Sequence, residues 1–140
     1  MSRRVARENC FKLMFEYEFI KERNDVSLSA YLESEDLTEE DREFIKNEYD
    51  GLIEKNEELE AVITKYLKGY TLPRIYKIDL AILKIAIYEM LFANTETPCN
   101  VVINEAVELS KKYSTDKSYS FVNGVLASVL KGELDGKEAN

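Results

Sequence analysis

The sequence predicts an all-α protein of about seven helices, packed as an N-terminal and a C-terminal bundle that share an interface. Three observations carry that prediction. Apolar residues recur at helical spacing along most of the chain, and no segment reads convincingly as a strand. Only 5 glycines and 2 prolines interrupt 140 residues, and a composition 45% hydrophobic and 33% charged matches a helical protein rich in Glu, Lys, Leu and Ile. Residues that start and stop helices stand at the joints between the apolar runs. The length fits one domain over 1–140, with an N-terminal subdomain over about residues 1–70 and a C-terminal one over about 71–135.

The first helix is expected over Ser2 to Ile20. At 100° per residue, Ala6, Cys10, Leu13, Met14, Tyr17 and Ile20 share one arc, a core-facing stripe. Phe11, Phe15 and Phe19 fall on the other side, so they are either covered by other elements or kept for a partner. After a polar connector, Leu28 to Leu32 makes a short helix. Thr38 then caps a helix whose first turn holds Glu39, Glu40 and Asp41, where carboxylates favour the exposed backbone N–H groups; Gly51 weakens it near its end. Asn56 is the expected cap of a fourth helix, which stops at Gly69. Pro73 suits a first helical turn, and IDLAILKIAIYEMLFA beyond it is hydrophobic over most of its circumference, as the central helix of a bundle would be. The next helix takes Thr97 as cap and Pro98 as first residue, with Val101, Val102, Ala106 and Leu109 inward and Lys111 and Lys112 at its carbonyl end. A last helix starts near Ser114 or Thr115 and runs to about Gly132, with Gly124 at a close helix contact; Gly136 to Asn140 reads as a frayed tail.

Charge is unevenly placed. Arg3, Arg4, Arg7 and Lys12 face a single acid, Glu8, in the first twelve residues of a chain whose net charge is −8. Residues 13–63 hold 17 acids and 5 bases, a solvated helical surface, while the remainder is nearly balanced. A basic segment at one end of an acidic protein is a candidate polyanion contact. A second lies in KKYSTDKSYSFVNG, where Lys111, Lys112 and Lys117 accompany hydroxyls and aromatic rings. Single-stranded RNA is bound by such mixtures: cations attract phosphates and rings offer stacking surfaces. By spacing alone, Tyr119 and Phe121 fit core packing equally well.

Enzyme chemistry finds little support. The chain has no histidine, which removes histidine bases and histidine metal ligands, and it carries neither a phosphate-cradling glycine loop nor a nucleophile elbow. So acidic a chain still offers paired carboxylates, but no catalytic residue, cofactor or metal site is expected. Nothing at the start resembles a secretory signal, and the most apolar stretch, Ile75 to Ala93, is interrupted by Lys77, Asp79, Lys84 and Glu89, which argues against a membrane span. Cys10 and Cys99, far apart and without a pairing motif, read as reduced thiols of a cytoplasmic protein.

RRVARE ahead of an aromatic amphipathic helix, then IDLAILKIAIYEML, PCNVVINEAVELSKKYS and DKSYSFVNGVL, in that order, resembles the NusB family of bacterial transcription antitermination factors. The resemblance implies an all-helical fold of two small bundles. It implies binding of boxA, a short single-stranded RNA element of ribosomal RNA operons, together with the small-subunit ribosomal protein NusE, within the RNA polymerase antitermination complex. It assigns RNA contacts to Arg3, Arg4, Arg7, Phe15, Asp116, Lys117 and Phe121, and a partner contact to Asp79. Phe15 stands where Tyr is common and lacks its hydroxyl; Leu80 stands where a basic residue is common. The arginines and Phe121 are expected side by side in space. The competing reading is a helical adaptor that joins proteins through Phe11, Phe15 and Phe19 and touches no RNA.

Overall fold

The computed structural model describes residues 2–69, 71–93 and 96–134, and these contain helices but no strand. Seven α-helices follow in order: α1 (Ser2–Ile20), α2 (Asp25–Leu32), α3 (Glu39–Glu54), α4 (Asn56–Tyr66), α5 (Lys77–Ile87), α6 (Cys99–Tyr113) and α7 (Ser118–Val129). Wider π-type turns extend α5 over Tyr88–Phe92 and α7 over Leu130–Leu134. The region of the expected frayed tail lies outside the described residues.

The central helix is α5, as its hydrophobicity requires. It packs against α1, α4, α6 and α7, and every residue from Asp79 to Ile87 is buried. Helix α1 crosses it on one side and also packs on α3, placing Ala6, Cys10, Leu13 and Met14 wholly out of solvent. Ile20, the last member of the expected stripe, is exposed, because α1 ends there: Lys21 turns into the left-handed region at φ 63° and its N–H closes on the Tyr17 carbonyl. The aromatic row is graded, with Phe11 buried, Phe15 half-buried and Phe19 exposed.

Several joints differ from the sequence reading. Thr38 caps α3 as expected, accepting from the Asp41 N–H at 3.1 Å. Asn56 is not a cap; it is the first residue of α4, and its side-chain oxygen accepts from the buried Lys84 ammonium at 2.6 Å. Lys84 also pairs with Glu18 and Glu60, both at 2.8 Å, so one buried cation ties α1, α4 and α5 together. Helix α4 packs on α5 and α7 and touches α3. Its apolar residues Leu59 and Ile63 are fully buried. Gly51 does more than weaken α3, since a Cβ there would fall inside the Tyr88 ring.

Three further corrections concern the C-terminal half. Pro73 belongs to a 3-10 turn (Leu72–Arg74) rather than to α5, and Ile75 and Tyr76 are extended before α5 begins. Pro98 holds the cap position of α6, and Val101 is 40% exposed, pointing away from the core that Val102, Ala106 and Leu109 enter. Helix α7 starts at Ser118, and Gly124 on it is exposed, with no heavy atom of another element within 4 Å of where a Cβ would stand.

Candidate RNA interface

Three arginines leave the first two turns of α1 in different directions, and each meets an acid on another element. Arg3 donates from Nε to Asp41 on α3 at 3.0 Å and lies 4.3 Å over the Phe44 ring. Arg4 forms a two-pronged pair with Glu105 on α6, at 3.1 Å and 2.7 Å, which holds the Glu105 carboxyl below its ordinary range. Arg7 donates to Glu89 in the π-turn after α5, from Nη2 at 2.8 Å and from Nε at 3.1 Å. Their side chains are 44%, 67% and 9% exposed. The basic head is therefore partly neutralised: Arg3 and Arg4 face solvent, whereas the Arg7 charge is held inside.

Arg7 sits in a buried polar knot. Burial, and next the charge of Glu89, push the Glu48 carboxyl well above its usual range, and burial does the same to the Cys10 thiol. Oε2 of Glu48 is buried without a hydrogen-bond partner among the described residues. Arg7 is the cation that faces both carboxyls.

From Arg4 the polar surface continues along α6. Lys112 bonds Glu8 at 2.6 Å, and Lys111 lies 5.3 Å over the exposed Tyr119 ring. Arg4, Glu8, Glu105, Glu108, Lys111 and Lys112 border a shallow groove between α1 and α6. Beyond Tyr113, whose ring is 4.9 Å from Phe11, the chain turns through Ser114 to Lys117 into α7.

That turn is pinned by Asp79. Both carboxylate oxygens accept hydroxyls, from Ser114 at 2.7 Å and from Ser118 at 3.0 Å, and Ser118 also meets Ser114 and Thr115 at 2.8 Å. Asp79 is 3% exposed and fixes the α6–α7 turn to α5. Asp116 and Lys117 stand exposed on the turn, and Phe121 is half-buried one turn into α7. These three border a cleft of 520 Å³ whose opposite wall is Arg74 to Tyr76.

The expected site residues are thus brought together in two groups rather than one. Arg3 and Arg4 lie at the start of α1, and Asp116, Lys117 and Phe121 lie at the far end of α6. Glu105 to Tyr113 spans the interval, about 12 Å at 1.5 Å per residue. Phe15 belongs to neither group; its ring is 6.1 Å from Phe11 and 5.1 Å from Phe19, on the aromatic row leading to Lys77. Sequence reasoning missed Arg74 and Tyr76 in the cleft. Their only signal was Pro73, which breaks the helical run just before an aromatic residue that no apolar period requires.

Among the described residues no group of three acidic or cysteine side chains is placed to hold a metal ion, and no helix is long and apolar enough to cross a membrane. The fold and its surface define an all-α protein with a cationic and aromatic strip along one helix. Residues 4–131 match the NusB family, and the chain belongs to that family of transcription antitermination factors. It is 46% identical to the transcription antitermination protein NusB of Ruminiclostridium cellulolyticum, over 96% of this chain and 92% of that protein. It is 44% identical to that of Acetivibrio thermocellus, over 100% and 96%. Among solved structures, NusB of T. maritima superposes with a TM-score of 0.82 at 31% identity, covering 92% of this chain and 90% of that one. A complex of antitermination factors NusB and NusE with dsRNA contains a chain similar at TM-score 0.83 and 25% identity, covering 94% and 97%.

Proposed function

We propose that this protein is a non-enzymatic antitermination factor that binds the boxA single-stranded RNA of ribosomal RNA operons together with a NusE-type ribosomal protein, and so supports ribosomal RNA synthesis by the antitermination complex. The observation that carries this reading is the strip along α6. Arg4, Lys112 and Lys111 lead to Lys117 and the aromatic-walled cleft, so phosphates and unstacked bases find their contacts on one path. Family membership and the solved NusB–NusE complex with dsRNA support the partner and the polymer.

In this reading Arg3, Arg4 and Lys117 meet phosphates, Phe121 and Asp116 meet bases at the α6–α7 end, and Phe15 meets RNA from the aromatic row of α1. Arg7 and Asp79 act from inside: Arg7 anchors the head of α1, and Asp79 holds the turn. The exposed Phe19 and Ile20, beside Lys77, give the protein partner an apolar foothold at the end of α1.

Net charge −8 opposes nonspecific nucleic-acid binding, so affinity is completed by the second protein. A fluorescence titration with boxA RNA tests this. Binding tightens when the NusE-type protein is present and weakens as salt rises. Equal affinity for a scrambled RNA, with and without partner, contradicts it and leaves the adaptor reading.

A further inference from the structure

The cleft beside the α6–α7 turn has a wall that the family resemblance did not assign. Leu72–Arg74 forms a 3-10 turn, and the next two residues are extended, with ψ of 136° at Ile75 and 139° at Tyr76. Extended backbone sends successive side chains to opposite sides. Ile75 accordingly enters the core at 8% exposure, and Tyr76 stands out at 62%. Its ring lines the same cleft as Phe121. Arg74, one residue before Ile75, is exposed and makes no side-chain hydrogen bond or ion pair with any described residue.

The chemistry of the walls selects an occupant. Two rings, one from the start of α5 and one from α7, offer stacking surfaces. Two cations, Arg74 and Lys117, stand at the rim where a phosphate would pass. Asp116, exposed and outside every ion pair of the described residues, would repel a phosphate but accepts a hydrogen bond from a base amine. At 520 Å³ the cleft is of the size that takes one small molecule, which excludes a duplex. It is also pre-shaped, since Asp79 holds Ser114 and Ser118 whether or not anything is bound.

We propose that this cleft is a receptor for a single unstacked nucleobase bearing an exocyclic amine, stacked on Tyr76 and Phe121 with its amine on Asp116 and its phosphate on Arg74 and Lys117. The inference rests on the RNA-binding reading above and adds Tyr76 and Arg74 to it. It also predicts that one nucleotide of the bound RNA is read by shape and edge, while its neighbours are held mainly by their backbone.

The test is an abasic walk. Full-length protein is titrated with fluorescein-labelled boxA RNA in the presence of the NusE-type partner, using oligonucleotides in which each base in turn is removed. The wild type, Tyr76→Ala, Tyr76→Phe and Arg74→Ala are compared; because both side chains are exposed, thermal melting should show all four equally folded. The expected result is one position where loss of the base weakens wild-type binding about tenfold and leaves Tyr76→Ala binding unchanged. Tyr76→Phe should behave as wild type there, and Arg74→Ala should weaken binding whichever base is missing. If the wild type binds boxA and Tyr76→Ala binds it equally well, or if Tyr76→Ala instead loses the protein partner in a titration without RNA, the receptor is overturned while the RNA-binding reading stands. If the wild type does not distinguish boxA from a scrambled RNA, that reading fails and the receptor fails with it.

Discussion

Arg4 and Arg7 carry the same group three residues apart, and burial separates what each does. Arg4 keeps 67% of its side chain in solvent, so its pair with Glu105 is screened and easily exchanged for a phosphate. Arg7 keeps 9%, against a carboxylate that is almost wholly buried. Arg4→Ala should therefore leave stability nearly unchanged and weaken RNA binding. Arg7→Ala should cost about 3–5 kcal/mol in a urea unfolding experiment, because it strands a buried negative charge beside Glu48. Replacing all the head arginines at once would mix the two effects. Glu48 gives the second residue-scale prediction. Its pKa is raised in the folded state, so the native protein holds a proton that the unfolded chain releases near the ordinary carboxylate pKa. The protonated carboxyl's contribution is present at low pH and lost as pH rises through the folded value. Glu48→Gln mimics the protonated form, facing Glu89, Arg7, Arg3 and Cys10. It should raise the melting temperature more at pH 8 than at pH 5, and an equal shift at both would show that Glu48 is already ionised.

At the scale of elements, the α6–α7 turn depends on a residue from another helix. Asp79→Ala removes the acceptor of both Ser114 and Ser118, each bond worth about 1 kcal/mol. Amide hydrogen exchange should accelerate at Ser114 to Ser118 and in the first turn of α7, with α1 and α3 unaffected, and RNA affinity should fall although Asp79 is not at the surface. Unchanged exchange in the turn would contradict its role as a post. This dependence was not legible in the sequence: the family resemblance assigns Asp79 a partner contact, and nothing local marks the two serines that bond it. Elements whose signals are local were legible: α1 was predicted at its observed ends, and Thr38 caps α3. Those whose ends are decided by packing were not. Asn56 is drawn from the cap position to satisfy Lys84, and the extended pair Ile75–Tyr76 interrupts a run that periodicity alone continues back to Pro73.

At the scale of the whole molecule, charge and packing are arranged so that one face is available to a polyanion. The acidic helices α2 and α3 pack on α1, while Lys111, Lys112 and Lys117 stand exposed along the end of α6 and the turn beyond it. The resemblance made the fold readable, since its motifs cover α1, α5, α6 and α7. It did not make the distances readable: Arg4 and Phe121 are separated by the last turns of α6, and Lys111, Lys112 and Tyr119 fill the gap. Nuclear magnetic resonance mapping of the complex with boxA RNA and the NusE-type partner shows whether this strip and cleft form one RNA path. Amide shift changes should run in a continuous line through Arg4, Lys112, Lys117, Phe121 and Tyr76, with α2 and α4 silent. Changes confined to α2 to α4, or at Arg4 with none in the turn, would contradict it.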